Sequence, residues 1–169
     1  MNTLNNIEAR GSLRSAMFVP GYTRKFLDKA VGFRADALLL DLEDSVPVPY
    51  KEDARTFIRE YLDQNKFPQQ TFIRVNDIES GLLTKDLDAT LHENTTGFMF
   101  TKVKDENDII YFDKLLSQLE HDHGFEDGKF KMLPLIETGS AILRAYEIAT
   151  ASPRMIGLAF GGEDYLTDL

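Results

Sequence analysis

The stretch Ala37-Leu38-Leu39-Leu40-Asp41-Leu42-Glu43-Asp44 begins with four consecutive apolar residues and ends in three acids. A strand that is apolar on both faces is covered on both sides, as strands of a parallel sheet are. Similar short β-rich runs recur at 15–19, 71–75, 97–101, 131–136 and 155–160. Between them lie stretches with helical spacing. Residues 51–62 place Ala54, Phe57, Ile58, Tyr61 and Leu62 on one side. Residues 106–119 do the same with Ile109, Ile110, Phe112, Leu115, Leu116 and Leu119, and 138–150 with Ile142, Leu143, Tyr146 and Ile148. Stripes of that period bury against a sheet. Strand–helix alternation repeated about six times predicts an α/β protein with a parallel sheet.

Two architectures share this pattern. An open sheet gathers ligands at the crevice where strand order reverses, so only some strand ends need be chemical. A (β/α) barrel points every strand's C-terminal end into one ring of loops. Here the run at 37–41 leads into Asp41, Glu43 and Asp44, and the run at 71–75 carries Arg74 and leads into Asn76. The following runs reach Lys102, Glu137, and Glu163 with Asp164, while the first ends in Pro20-Gly21 with Arg24 and Lys25 close behind. Charge at nearly every exit favours the barrel, although helix N-caps also favour Asp and Asn there.

Glu137 and Asp164 form the most pointed constellation. Each follows an apolar run, and they are separated by 164 − 137 = 27 residues, about one βα unit. Neighbouring parallel strands lie about 4.8 Å apart, so two carboxylates at adjacent exits can hold one hard divalent cation and leave room for substrate oxygens. The competing reading is that Glu137 caps a helix starting near Thr138 and Asp164 caps a turn. Arg74, Lys102 and Arg14 make a basic set suited to an anion, since Arg grips carboxylate or enolate oxygens bidentately and Lys acts as a movable charge. Equally, each could pair with Asp41, Glu43 or Asp44 in a ring of salt bridges. That acidic trio is costly unless a metal, water or Arg neutralises it.

Other features carry less. His121-Asp122-His123 falls at the polar end of a helix, and His92 stands alone. Asn94-Thr95-Thr96 is a sequon without a secretory context. Gly161-Gly162 lacks the dinucleotide-binding spacing, and no helix pattern is evident after it.

Composition narrows the class. With 28 acidic against 19 basic side chains in 169 residues, the net charge is −9, which argues against nucleic acid or an anionic membrane as partner. Zero Cys excludes disulfides, thiolate metal sites and cysteine nucleophiles. No apolar run approaches the roughly 20 residues that span a bilayer. Met1 to Gly11 is polar, without a signal-peptide core, and a cytoplasmic location is expected.

Taken together, Arg14-Ser15-x-x-Phe18-Val19-Pro20-Gly21, Leu40-Asp41-Leu42-Glu43-Asp44-Ser45-Val46, Lys51-x-x-Ala54-Arg55, Ile73-Arg74-Val75-Asn76, Lys102, Ile136-Glu137-Thr138 and Gly161-Gly162-Glu163-Asp164 resemble the citrate lyase beta subunit family. That family stands with the HpcH/HpaI aldolases and malyl-CoA lyases in the phosphoenolpyruvate/pyruvate superfamily. Thr101 departs mildly, because the family more often has Pro before that Lys. The resemblance implies a (β/α)8 TIM-type barrel and Mg²⁺-dependent cleavage or formation of a C–C bond in a hydroxyacyl-CoA such as citryl-CoA, with Mn²⁺ as an alternative metal. It makes Glu137 and Asp164 the metal ligands, with Glu137 also touching substrate, and Arg74 the substrate and enolate clamp. Asp41, Glu43 and Asp44 become the supporting acidic shell, Arg14 and Lys102 substrate contacts, and Arg24, Lys25 or Lys29 contacts for the phosphates of a CoA thioester. A Schiff base on Lys102 is the chemical rival. Malyl-CoA or methylmalyl-CoA lyase or thioesterase chemistry is the alternative within the family, and a non-catalytic binding or assembly subunit the alternative outside it.

A full barrel needs about 250 residues and eight βα units. The expected organisation is therefore an N-terminal extension at 1–13 and a partial barrel at 14–169, truncated to about six units with strands 7 and 8 absent. The chain is then a fragment of a longer enzyme, a short paralogue completed by a partner or by self-association, or a protein without catalysis. A homo-oligomer, with other citrate lyase subunits as further partners, is expected.

Overall fold

The computed structural model describes residues 13–168; the extension expected at 1–13 lies, Leu13 apart, outside the described residues. Six strands are joined by helices: β1 (Ala16–Pro20), β2 (Ala37–Asp41), β3 (Gln70–Val75), β4 (Gly97–Phe100), β5 (Lys131–Ile136) and β6 (Ala159–Phe160). All neighbouring pairs are parallel and the order is β1-β2-β3-β4-β5-β6. Each strand therefore lies beside the next in sequence, with no reversal of order. This is a curled part of a barrel wall and excludes the doubly wound sheet.

The pleat sorts the apolar residues into two layers. Ala37, Leu39, Phe72, Met99, Leu133 and Leu135 form a small cluster on the inner face. Leu38, Leu40, Ile73, Val75, Phe98, Phe100, Met132 and Ile136 face outward and form the larger core with the helices. Those helices are α1 (Arg24–Ala30), α2 (Lys51–Gln64), α3 (Leu83–Thr90), α4 (Glu106–Asp122), α5 (Gly139–Leu143), α6 (Ala145–Thr150) and α7 (Gly162–Asp168), with a 3-10 turn at Val48–Tyr50. On α2 the buried apolar residues are Ala54, Ile58, Tyr61 and Leu62; on α4 they are Ile109, Phe112, Leu116 and Leu119. Phe57 and Ile110, read as part of those stripes, sit at their margins and are exposed.

Two expected elements are interrupted. The helix at 138–150 divides into α5 and α6 at Arg144. The strand at 155–160 keeps only Ala159–Phe160, plus an isolated bridge between Met132 and Met155. Pro134 explains the second break. Met132 N–H donates to Arg154 and Ile156 N–H to Met132, but Pro134 has no N–H with which to continue. The register then slips by one residue, so that Leu135 faces Ala159. Helices α1, α3 and α7 were not evident from periodicity, and α7 does follow Gly161-Gly162.

Candidate active site

The exits of β2 through β6 bring most of the candidate residues together. At the β2–β3 pair, Asp41 lies opposite Arg74 in register. Arg74 Nε donates to Asp41 Oδ1 and Nη2 to Oδ2, each at 2.7 Å. Asp41 also accepts from the backbone N–H groups of Glu43 (2.8 Å) and Ser45 (3.1 Å). Burial works to raise the Asp41 carboxyl, but the hydrogen bonds and charge of Arg74 outweigh it and hold it below its ordinary value. The guanidinium sits over the Phe18 ring at 4.6 Å, a cation–π contact that fixes its plane. Its remaining Nη1 faces Glu43 Oε2 at 3.2 Å and Asp44 Oδ2 at 3.5 Å.

Glu43 is buried beside this pair. Its Oε2 lies within ion-pair distance of Arg74 yet has no hydrogen-bond partner. Burial, opposed by Arg74 and reinforced by Asp44, pushes the carboxyl up to about 7. Lys102 reaches in from the β4 exit, with Nζ 3.3 Å from Asp77 Oδ2 and 3.7 Å from Glu43 Oε1. Burial tends to lower the Lys102 ammonium, but Asp77 and Glu43 raise it above its ordinary value. An amine held protonated in this way is poorly suited to attack a carbonyl, which weighs against the Schiff base.

At the β5–β6 end, Thr138 takes the helix-capping task that Glu137 might have had. Its hydroxyl accepts from Ala141 N–H at 3.1 Å, which leaves the buried Glu137 carboxylate for other partners. Oε2 accepts the Lys102 N–H at 2.7 Å. Burial, opposed by that N–H and reinforced by the facing Asp164 carboxyl, raises Glu137 to about 7. Asp164 lies in the first turn of α7. Gly161 makes the approach of β6 possible: a Cβ there would fall 2.6 Å from Glu137 Cγ and 2.8 Å from Oε1.

Five carboxyls (Asp41, Glu43, Asp44, Glu137 and Asp164) thus meet two cations, Arg74 and Lys102. The surplus oxygen charge, the unpartnered Glu43 Oε2 and the two facing carboxyls form an all-oxygen donor set that fits a hard divalent cation. Among the described residues no group of three or more His, Asp or Glu converges as a metal cage. Mg²⁺ needs only one or two protein carboxylates, so the pair Glu137–Asp164 fits it.

Other expected contacts lie elsewhere. Arg14 is a correction: it precedes β1, and its backbone and guanidinium bond Asp36, just before β2, at the strand starts. Arg24 donates to Gln64 Oε1, on the last residue of α2, at 2.6 Å. Lys29 occupies the last turn of α1, the end directed away from the strand exits. None of the three joins the cluster. A concavity of about 980 Å³ also lies at the strand starts, among Gln70, Thr96 and Asp127.

A supporting network escaped the sequence reading. Lys51 Nζ donates to Leu42 O, Glu43 O and Asn76 Oδ1, each at 2.7 Å, and so pins the acidic turn from beneath. Asn76 in turn donates through N and Nδ2 to the fully buried Asp86, which also pairs with Arg55 at 2.7 Å. Lys51, Arg55 and Asn76 stand in the motifs, but no composition or spacing rule pairs them with Asp86.

A parallel barrel wall with a carboxylate pair and an anchored arginine at its C-terminal rim defines a protein of the (β/α) barrel class, whose sites gather at that rim. Residues 14–169 match the family model described as HpcH/HpaI aldolase/citrate lyase, and the chain belongs to that family. The citrate lyase subunit beta of Escherichia coli K12 is 35% identical over 157 residues, 92% of this chain and 52% of that protein. A (3S)-malyl-CoA thioesterase of Cereibacter sphaeroides is 29% identical over the same share of this chain and 51% of its own length. Among solved structures, the Mycobacterium tuberculosis citrate lyase beta subunit complexed with oxaloacetate and magnesium aligns with a TM-score of 0.74 and 26% identity, over 94% of this chain and 62% of that one. The chain spans about half the length of the curated relatives it matches. Among the described residues no helix is long and apolar enough to cross a membrane.

Proposed function

We propose that this chain carries the catalytic centre of a Mg²⁺-dependent C–C lyase of citrate lyase beta type, acting on a hydroxyacyl-CoA such as citryl-CoA. The observation that carries the reading is the facing pair Glu137 and Asp164 one strand apart, with Arg74 locked on Asp41 in the same rim. Glu137 and Asp164 would hold the metal, which when bound supplies Lewis-acid polarisation of the ketoacid half of the substrate. Both carboxyls must then be ionised, which the raised Glu137 resists until a cation balances it.

Arg74 orients the substrate. Its Nε and Nη2 are committed to Asp41, so Nη1 is the nitrogen left to meet a substrate oxygen. In cleavage, the substrate hydroxyl loses its proton and becomes the ketoacid carbonyl as the C–C bond breaks. The electron pair of that bond passes to the thioester carbon side as an enolate, and protonation at carbon yields acetyl-CoA. A fixed guanidinium beside the developing enolate oxygen stabilises it without reorganising. Glu43, its carboxyl pushed up to about 7, and Lys102 lie beside Arg74 on the same rim. The malyl-CoA thioesterase relative makes hydrolysis of a related thioester the runner-up, with water in place of the C–C bond as the reacting partner.

The test is turnover of citryl-CoA and malyl-CoA by the parent chain, Glu137→Ala and Asp164→Ala, with magnesium binding followed calorimetrically. Activity in the parent and its loss together with metal binding in both variants supports the lyase. A parent that binds metal but turns over neither thioester under any divalent ion would instead favour a binding or assembly role.

A further inference from the structure

We infer that Lys102 is a positioning residue for Glu137, acting through its backbone amide and not through its ammonium. The inference rests on Glu137 and Asp164 being the cation ligands. Among the described residues Lys102 alone combines a side chain with positive φ, at 52°. A lysine has no intrinsic reason to adopt that region, where Gly, Asn and Asp are favoured. A backbone outlier held beside a functional group is a reason to ask what it achieves.

The answer lies in the strand lengths. β4 ends at Phe100, opposite Pro134, whereas β5 continues to Ile136 and delivers Glu137 beyond it. The left-handed turn at Lys102 directs its N–H across this step to Glu137 Oε2 at 2.7 Å. On the other side, Glu137 Oε1 rests against Gly161, with no room for a Cβ. The carboxylate is held between an amide and a glycine, in the orientation that faces Asp164. Meanwhile the ammonium leaves in another direction, towards Asp77 and Glu43, and is half exposed. Backbone and side chain therefore serve different carboxylates, and substitution can separate them.

Lys102→Gly removes the ammonium but adopts the turn freely and keeps the N–H. Lys102→Val also removes the ammonium and keeps the N–H, but its β-branched side chain resists positive φ. Lys102→Ala is intermediate and serves if the valine variant does not fold, which circular dichroism reports. Manganese affinity of the full chain, measured by electron paramagnetic resonance, is expected to stay within about threefold of the parent in the glycine variant and to weaken roughly 10- to 100-fold in the valine variant, the range typical of groups that orient metal ligands. Equal affinities in the parent and valine variant, or equal losses in the glycine and valine variants, overturn the positioning role. A parent that binds no manganese overturns the metal-ligand reading itself, and the positioning role with it.

Discussion

Arg74 grips Asp41 in parallel, two nitrogens on two oxygens at 2.7 Å each, across the register of β2 and β3. Asp41 is almost fully buried and Arg74 largely so, and removing Asp41 leaves Arg74 Nε and Nη2 without acceptors while Nη1 keeps Glu43 and Asp44. Asp41→Ala is expected to cost about 3–5 kcal/mol of stability. Arg74→Lys keeps the charge but cannot reproduce the fork, and a roughly 100-fold loss in kcat/KM is expected with a smaller loss of stability. Denaturant unfolding and steady-state kinetics check the two effects separately. An active Arg74→Lys enzyme would remove Arg74 from the enolate-stabilising role.

The raised carboxyls give the protein a pH signature. Glu43 and Glu137 stand at about 7 in the fold against an ordinary 4.5. Between those values the folded chain holds protons that the unfolded chain has released, so stability falls as pH rises through that window. Asp41, held low, acts at the acid end: its contribution is present above its ordinary value and is lost as pH falls through its folded value. Thermal melts in EDTA should therefore give a maximum near about pH 5 and a decline towards about pH 8. Magnesium should restore stability at the higher pH and do little at the lower, because binding requires the ionised pair. A magnesium effect equal at both values would count against Glu137 as a ligand.

Gly161→Ala tests the close approach of β6. The added methyl would enter the Glu137 side chain at 2.6 Å. Overpacking of this kind costs about 1–3 kcal/mol, and displacement of the carboxylate should weaken magnesium binding as well. Calorimetric titration showing unaltered affinity would mean that Glu137 yields without consequence for the metal.

Lys51 is expected to matter for stability out of proportion to its apparent role as a helix-start lysine. Lys51→Met leaves the buried carbonyls of Leu42 and Glu43 and the Asn76 amide without their shared donor. A loss of roughly 2–4 kcal/mol follows, together with a raised KM as the acidic turn loosens. A variant as stable as the parent would show that water replaces the ammonium.

Much of this was legible because strand exits in a barrel share one rim. Asp41, Glu43, Asp44, Arg74, Lys102, Glu137 and Asp164 were found by their position after apolar runs, and the structure brings them to one rim. Arg14 failed for the same reason: it was grouped with Arg74 and Lys102 by its charge, but it precedes its strand and so lies at the strand starts on Asp36. Pro134 broke β6 through a hydrogen bond missing from the neighbouring strand, an effect that periodicity within 155–160 cannot carry. The Lys51–Asn76–Asp86–Arg55 network joins side chains 10 to 31 residues apart and exists only once α2 and α3 have docked.

The uninterrupted strand order has a kinetic consequence. Every ladder joins one unit to its immediate successor, so the wall can grow by local addition without a long loop closing first. The Arg74–Asp41 clasp needs only the β2–β3 step, and the Glu137–Asp164 pair only the β5–β6 step. The two pairs of the rim thus form across separate strand steps, and Lys102 at the β4 exit touches both sides, its ammonium near Glu43 and Asp77 and its amide on Glu137.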